Sequence, residues 1–248
     1  MNVILHAPHT STVIPEEYLS DYTSPEDAFD CANKMVDHGT GYIAEMLVSD
    51  ELVKKDNALI FPYSRVFCDV ERFDSEEEEM NKIGMGVLYT HSYKLIKIRD
   101  VKNPDRIKNY YNEHHRLLNE RCKHELDKGE DLLFVDLHSF SNTPLPYELH
   151  KDLKRPDICI GIEDYHSNEK MINSIIYHIE KYGYTWSINE PFIGCLIPSD
   201  YYLKDLRIKG FMFEVNKDIL YDIYREYELL SDIIKDLKNE TKEILRIY

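Results

Sequence analysis

DLLFVDLHS, residues 131–139, is a near-continuous apolar run interrupted by Asp136 and closed by the polar pair His138 and Ser139. A run of this length without alternation is the pattern of a strand buried on both faces, as in a parallel sheet covered by helices. Working outward, NVILHAP (Asn2–Pro8), PDICIGI (Pro156–Ile162) and GFMFEVN (Gly210–Asn216) have the same character. YTWSI (Tyr184–Ile188) reads as a short strand, and NALIFPY (Asn57–Tyr63) and SRVFCDV (Ser64–Val70) as strands or extended segments. Helical stretches separate them. SPEDAFDCANKMV opens with Ser24 as N-cap, Pro25 in the first turn and Asp27 completing a capping-box-like pattern. YIAEMLV (Tyr42–Val48) and MINSIIYHIEKYG (Met171–Gly183) are further helical segments. Ile107, Tyr111, His114, Leu118 and Cys122 mark one face of a helix between Asn103 and Gly129. Leu220, Ile223, Tyr227, Leu230, Ile234 and Leu237 mark the last. The alternation predicts an α/β fold: a mixed, mainly parallel sheet with helices on both faces. No repeat or compositional break divides the chain, so residues 1–248 are expected to form one domain.

The 248 residues hold 46 acidic side chains against 30 Lys plus Arg, a formal charge of −16. That balance disfavours a broad nucleic-acid surface, which needs a concentrated basic face. An anionic substrate would be repelled at long range, so a pocket for one must hold its own Arg or Lys. There is no apolar run of about 18 residues to span a membrane, and the opening MNVILHAPHT lacks the features of a secretory leader. Five scattered cysteines without a paired spacing fit reduced thiols and a cytoplasmic protein. The block Ser75–Glu79 reads as a solvated loop.

In open α/β sheets the ligand crevice lies beyond the carboxyl ends of the strands. Three strands here end in groups able to do chemistry: His6 to Ser11, Asp136 to Ser139, and Glu214 to Asn216. His138 and His9 each fit a structural histidine or a ligand. Asp136, two residues before His138, shares its strand face and could orient that imidazole. Glu214 in a buried strand calls for a metal, an arginine or a catalytic purpose. Arg65 suits an ion pair with Asp69, Arg72 ligand binding, and His114 helix packing. His6, His38 and His150 are among the histidines without a convincing context. Ser139 lacks the strand–turn–helix setting of a serine nucleophile, and no glycine-rich phosphate loop is present.

Taken together, seven segments resemble, in order, the motifs of the N-formylglutamate amidohydrolase family. They are PHTSTVIP (Pro8–Pro15), SRVFCDVER (Ser64–Arg72), YYNEHH (Tyr110–His115), VDLHSFS (Val135–Ser141), RPDICIG (Arg155–Gly161), NEPFIG (Asn189–Gly194) and FEVNKDILY (Phe213–Tyr221). The resemblance implies a fold like the zinc carboxypeptidases and aspartoacylases (phosphorylase/hydrolase-like) and a zinc-activated water that attacks an amide or formamide. One Zn²⁺ per chain, or another divalent metal, would be held by His9, His138 and a third ligand, Asp37, with His38 its rival. Glu214 would be the general base. Arg72, Arg65, Ser139, Asn189 and His115 would bind a small N-acyl amino acid such as N-formylglutamate. A monomer and a homo-oligomer both suit such an enzyme. Thr10, Thr12 and Glu71 depart from the pattern, which has serine, glycine and asparagine there. The alternatives are a zinc hydrolase of another acyl amino acid, peptide or cell-wall amide, and a family member that binds without catalysis.

Overall fold

The computed structural model describes residues 1–148 and 151–244; His150 lies outside them. Its strands are β1 (Asn2–Ala7), β2 (Ala58–Ile60), β3 (Leu132–Phe140), β4 (Ile158–Gly161), β5 (Trp186–Ile188) and β6 (Ile208–Asn216). They form one six-stranded sheet in the order β2-β1-β3-β6-β4-β5. The pairs β1–β2, β1–β3, β3–β6 and β4–β5 are parallel, and β4 runs antiparallel to β6. The sheet is thus mixed and mainly parallel. Every residue of β3 is buried, which explains why its sequence shows no alternation.

Helices α1 (Pro25–Met35), α2 (Thr40–Ser49), α3 (Pro104–Leu126), α4 (Glu169–Lys181) and α5 (Ile223–Ile244) accompany the sheet. The period of two along each strand assigns its residues to faces. Leu5, Val135, Leu137, Phe211 and Phe213 pack with Ile43 and Leu47 of α2, Ile175 of α4 and Leu230 of α5. Ile4, Phe134 and Met212 pack on the other side with Leu118, Cys122 and Leu126 of α3. The capping of α1 is as expected, since Ser24 accepts from the Asp27 backbone N–H at 3.1 Å. A third apolar cluster joins Ala28 and Ala32 of α1 to Phe61, Val66, Phe67 and Val70.

That cluster explains one misreading. SRVFCDV is not a strand but a buried series of turns, with the Phe67 and Cys68 N–H groups both donating to the Ser64 carbonyl. Its apolar residues follow the demands of packing against α1 rather than a sheet period. Similarly, NALIFPY contributes three strand residues, Ala58–Ile60, at the sheet edge. Among the described residues no helix is long and apolar enough to cross a membrane.

Candidate active site

The first two strands of the site are neighbours in the middle of the sheet. Register pairs His6 with Asp136 and His138 with Glu214, so these side chains emerge on one face near the carboxyl ends. His9 lies two residues beyond β1, and its carbonyl accepts from the Asp37 N–H at 2.8 Å. This bond ties the segment after α1 to the end of β1. Gly39, with φ at 87°, then turns the chain into α2, a left-handed geometry that glycine adopts without steric cost.

Three donor atoms converge as a result. His138 Nδ1 lies 3.0 Å and His9 Nδ1 3.6 Å from Asp37 Oδ2. One ligand atom from each residue falls within 4.8 Å of the others, and all three residues are buried. Ligands sharing a zinc ion at about 2.0–2.2 Å would stand about 3.3–3.6 Å apart in a tetrahedral set. His9 Nδ1 is buried without a hydrogen-bond partner among the described residues, although a neutral imidazole needs one at each nitrogen. The outward nitrogens are both occupied: His9 Nε2 meets Asp69 Oδ1 at 2.8 Å, and His138 Nε2 meets Asp136 Oδ1 at 3.0 Å. Carboxylates behind metal-binding imidazoles are the usual way such rings are aimed. A divalent cation therefore fits this donor set on spacing, chemistry and an orphaned lone pair. A second group, His6, Glu71 and Asp136, lies behind His138 and also meets the spacing for a cation.

Asp37 is held in its charged form. Burial opposes ionisation, but contacts with His138 and His9 outweigh it and keep the carboxyl below its usual range. Glu214 behaves oppositely. Burial, with the nearby Asp37 charge, pushes it up to about 8, against the opposing pull of His138, Lys217 and Arg65. Its Oε2 is buried and has no hydrogen-bond partner among the described residues. Glu214 lines a cavity of about 150 Å³ together with Asp37, Arg65, Ser139, Tyr147 and Lys217. Larger hollows lie beside β2 and between α4 and α5, away from this convergence. The donor chemistry, not hollow size, marks the site.

The structure thus brings His9, Asp37, His138, Glu214, Ser139 and Arg65 to one place. His38 lines the cavity but is exposed, with its carbonyl accepting from Ser139 Oγ at 3.0 Å. Arg65 is also bound twice to Asp69, at 2.9 and 3.1 Å. Three expected residues do not line the cavity. Arg72 sits behind Asp69, its Nε 3.6 Å from that carboxylate, and does not line the cavity. Asn189 spends its amide on the backbone of Ile162 and Gly194, and His115 Nε2 bonds to the Val70 carbonyl. Both side chains are occupied in holding loops.

A sequence model of N-formylglutamate amidohydrolase matches residues 1–221. The chain belongs to the N-formylglutamate amidohydrolase family. It is accordingly an amidohydrolase, a hydrolase of C–N bonds. No curated protein matches it significantly. Among solved structures it is similar to an N-formylglutamate amidohydrolase from Ralstonia eutropha JMP134, at TM-score 0.76 and 17% identity over 100% of this chain and 95% of that one. It is also similar to a gene product of Agrobacterium tumefaciens, at TM-score 0.66 and 17% identity over 96% and 92% of the two chains. These likenesses establish the shared fold. Asp69 and Lys217, which sequence reasoning gave no site role, lie beside this convergence: Asp69 meets His9 Nε2, and Lys217 lines the cavity. A signal for Asp69 was its place in the arginine-flanked segment, and for Lys217 its place three residues after Glu214.

Proposed function

We propose that this amidohydrolase uses a divalent cation, zinc by the nature of its donors, to cleave the N-formyl or other N-acyl amide of a small carboxylate-bearing substrate such as N-formylglutamate. The observation that carries the reading is the meeting of His9 Nδ1, Asp37 Oδ2 and His138 Nδ1 beside a buried Glu214 whose Oε2 has no hydrogen-bond partner among the described residues. When bound, the cation would supply Lewis acidity, lowering the pKa of a water from about 16 toward about 7. Asp69 and Asp136 hold the two imidazoles with their Nδ1 lone pairs forward. Glu214 removes a proton from the attacking water as the new C–O bond forms. It returns that proton to the amine nitrogen as the C–N bond breaks. The Glu214 carboxyl, elevated toward neutral pH by burial, suits both halves of that exchange.

Arg65 and Lys217, both lining the cavity, take the substrate carboxylate, the role that the resemblance gave to Arg72. Lys217 Nζ donates to the Val36 carbonyl, which anchors it at the cavity wall. Free, buried thiols at all five cysteines support a cytoplasmic setting, and we take residues 1–248 as one domain.

Elemental analysis of the wild type beside His138→Ala tests the metal. One divalent ion per chain, lost in the variant, is the expected result; a metal-free wild type with full amidase activity overturns it. A panel of N-formyl, N-acetyl and peptide substrates tests the acyl group. Turnover of peptides but not of N-formyl or N-acetyl amino acids would discard the assigned substrate class.

A further inference from the structure

The face of the His138 ring turned away from the cavity carries a second charged array. Four atoms alternate around it: His6 Nδ1, Asp136 Oδ1, His138 Nε2 and Glu71 Oε1. Asp136 Oδ1 stands 2.9 Å from His6 and 3.0 Å from His138, and Glu71 Oε1 stands 3.4 and 3.5 Å from the same two nitrogens. Asp136 is the direct hydrogen-bond acceptor, and its other oxygen accepts from the Leu196 N–H at 3.1 Å. Glu71 Oε1 is buried and has no hydrogen bond of its own among the described residues. A buried carboxylate oxygen in that condition is costly unless its charge is used.

We propose that Glu71 is a positioning residue for the metal centre, its negative charge strengthening His138 as a ligand from behind the ring. The inference rests on the reading of His9, Asp37 and His138 as the ligand set. A negative charge beside Nε2–H draws that proton and leaves more electron density at Nδ1, which is the donor atom facing Asp37. In a buried, low-dielectric setting a charge acts over 3.5 Å without needing hydrogen-bond alignment. The chain geometry places Glu71 for this task. Asp69, which receives His9 Nε2, also accepts from the Glu71 N–H at 3.1 Å. One turn therefore backs both imidazoles, Asp69 behind His9 and Glu71 behind His138. The same placement turns Glu71 away from the cavity, where its charge would repel a substrate carboxylate.

Removal of a carboxylate behind a ligand imidazole weakens metal binding by about 10–100-fold. With Asp136 still holding the direct bond, Glu71→Gln is expected at the lower end, about 10-fold. The test is a zinc titration of the metal-free full chain against a competing chelator, for wild type, Glu71→Gln and Glu71→Asp. Melting of each metal-free protein is recorded alongside. Weaker affinity in Glu71→Gln, near-wild-type affinity in Glu71→Asp and one ion per chain throughout is the expected set. Equal affinity in wild type and Glu71→Gln overturns the inference while leaving the metal site intact. It is also overturned if wild type binds two ions and Glu71→Gln one, for Glu71 would then itself be a ligand. A wild type that binds no zinc defeats the parent reading as well, and that outcome is distinct from the other two. Should Glu71→Gln fail to fold, Glu71→Asn against Glu71→Asp carries the same comparison.

Discussion

Glu214 on β6 and Glu226 on α5 are two buried carboxylates twelve residues apart in the chain. Burial raises both above the ordinary glutamate value, and each has an Oε2 with no partner. Their surroundings differ. Glu214 opens on a cavity that also holds Asp37, Arg65 and Lys217. Glu226 is wholly enclosed, and the Tyr184 hydroxyl donates to its Oε1. An elevated, half-satisfied carboxyl is therefore no evidence of catalysis by itself. Access to a cavity and to opposite charges separates the chemical group from the structural one.

The largest effect expected from this contrast is on turnover. Glu214→Gln keeps the shape of the side chain and removes its basicity. It should lower kcat by about 10²–10⁴-fold, the range for a general acid–base group, and leave bound metal at the wild-type level. Full activity in this variant would end the contrast at once, since both glutamates would then be inert. Steady-state kinetics on an N-formyl amino acid, with metal content measured on the same sample, decides it.

A smaller effect sharpens the Glu214 side. Lys217 is one of the charges that distinguish its surroundings from those of Glu226, and it pulls the Glu214 carboxyl downward. Lys217→Met should weaken a charged contact to substrate worth about 1.5–3 kcal/mol, which is about 10–150-fold in kcat/KM. The loss should fall mainly on KM, and only for substrates that carry a carboxylate. An equal loss for an uncharged formamide would show that Lys217 acts through Glu214 or the fold instead.

Much of this architecture was legible in the residues. The near-continuous apolar run of β3 and the Ser24–Asp27 cap announce a buried strand and a helix start, because each depends on local physics alone. His9, His138 and Glu214 stand out as polar groups at the exits of apolar strands. Only the resemblance puts Asp37 ahead of His38, because in the residues alone such neighbours differ only in which way they face. The Asp37 N–H bond to the His9 carbonyl supplies that direction. The array of His6, Glu71 and Asp136 was hidden for a different reason. It depends on β1 lying beside β3 in a register that pairs His6 with Asp136, and strand order is not written in any one segment. Asn189 reads from sequence as a binding group, because a segment by itself does not show how a polar side chain is spent. Its positive φ of 54° and its bonds to Ile162 and Gly194 show a loop clasp.

The smallest expected effect concerns Glu226, and it is one of stability. Burial raises its carboxyl above the ordinary value of 4.5, with the Tyr184 hydrogen bond opposing. The folded chain then holds this proton more tightly than the unfolded chain does. Its contribution to stability is fully present below about pH 4.5 and is lost as pH rises through the folded-state value. Above that value the core holds an ionised, half-satisfied carboxylate, a kind of group that costs about 1–3 kcal/mol when buried. Glu226→Gln does not titrate, so its melting temperature should gain on wild type as pH rises from 4 to 7. For a chain of this size each kcal/mol is worth about 2–4 °C. Catalytic activity should stay within about twofold, since Glu226 touches neither the cavity nor its charges. A melting-temperature difference that is flat or shrinks across that range would mean that Tyr184 stabilises the ionised form, and burial would then no longer be the common cause of the two shifts. A large loss of activity would be the more damaging result, because it would give the enclosed glutamate a part in the chemistry that its surroundings deny it.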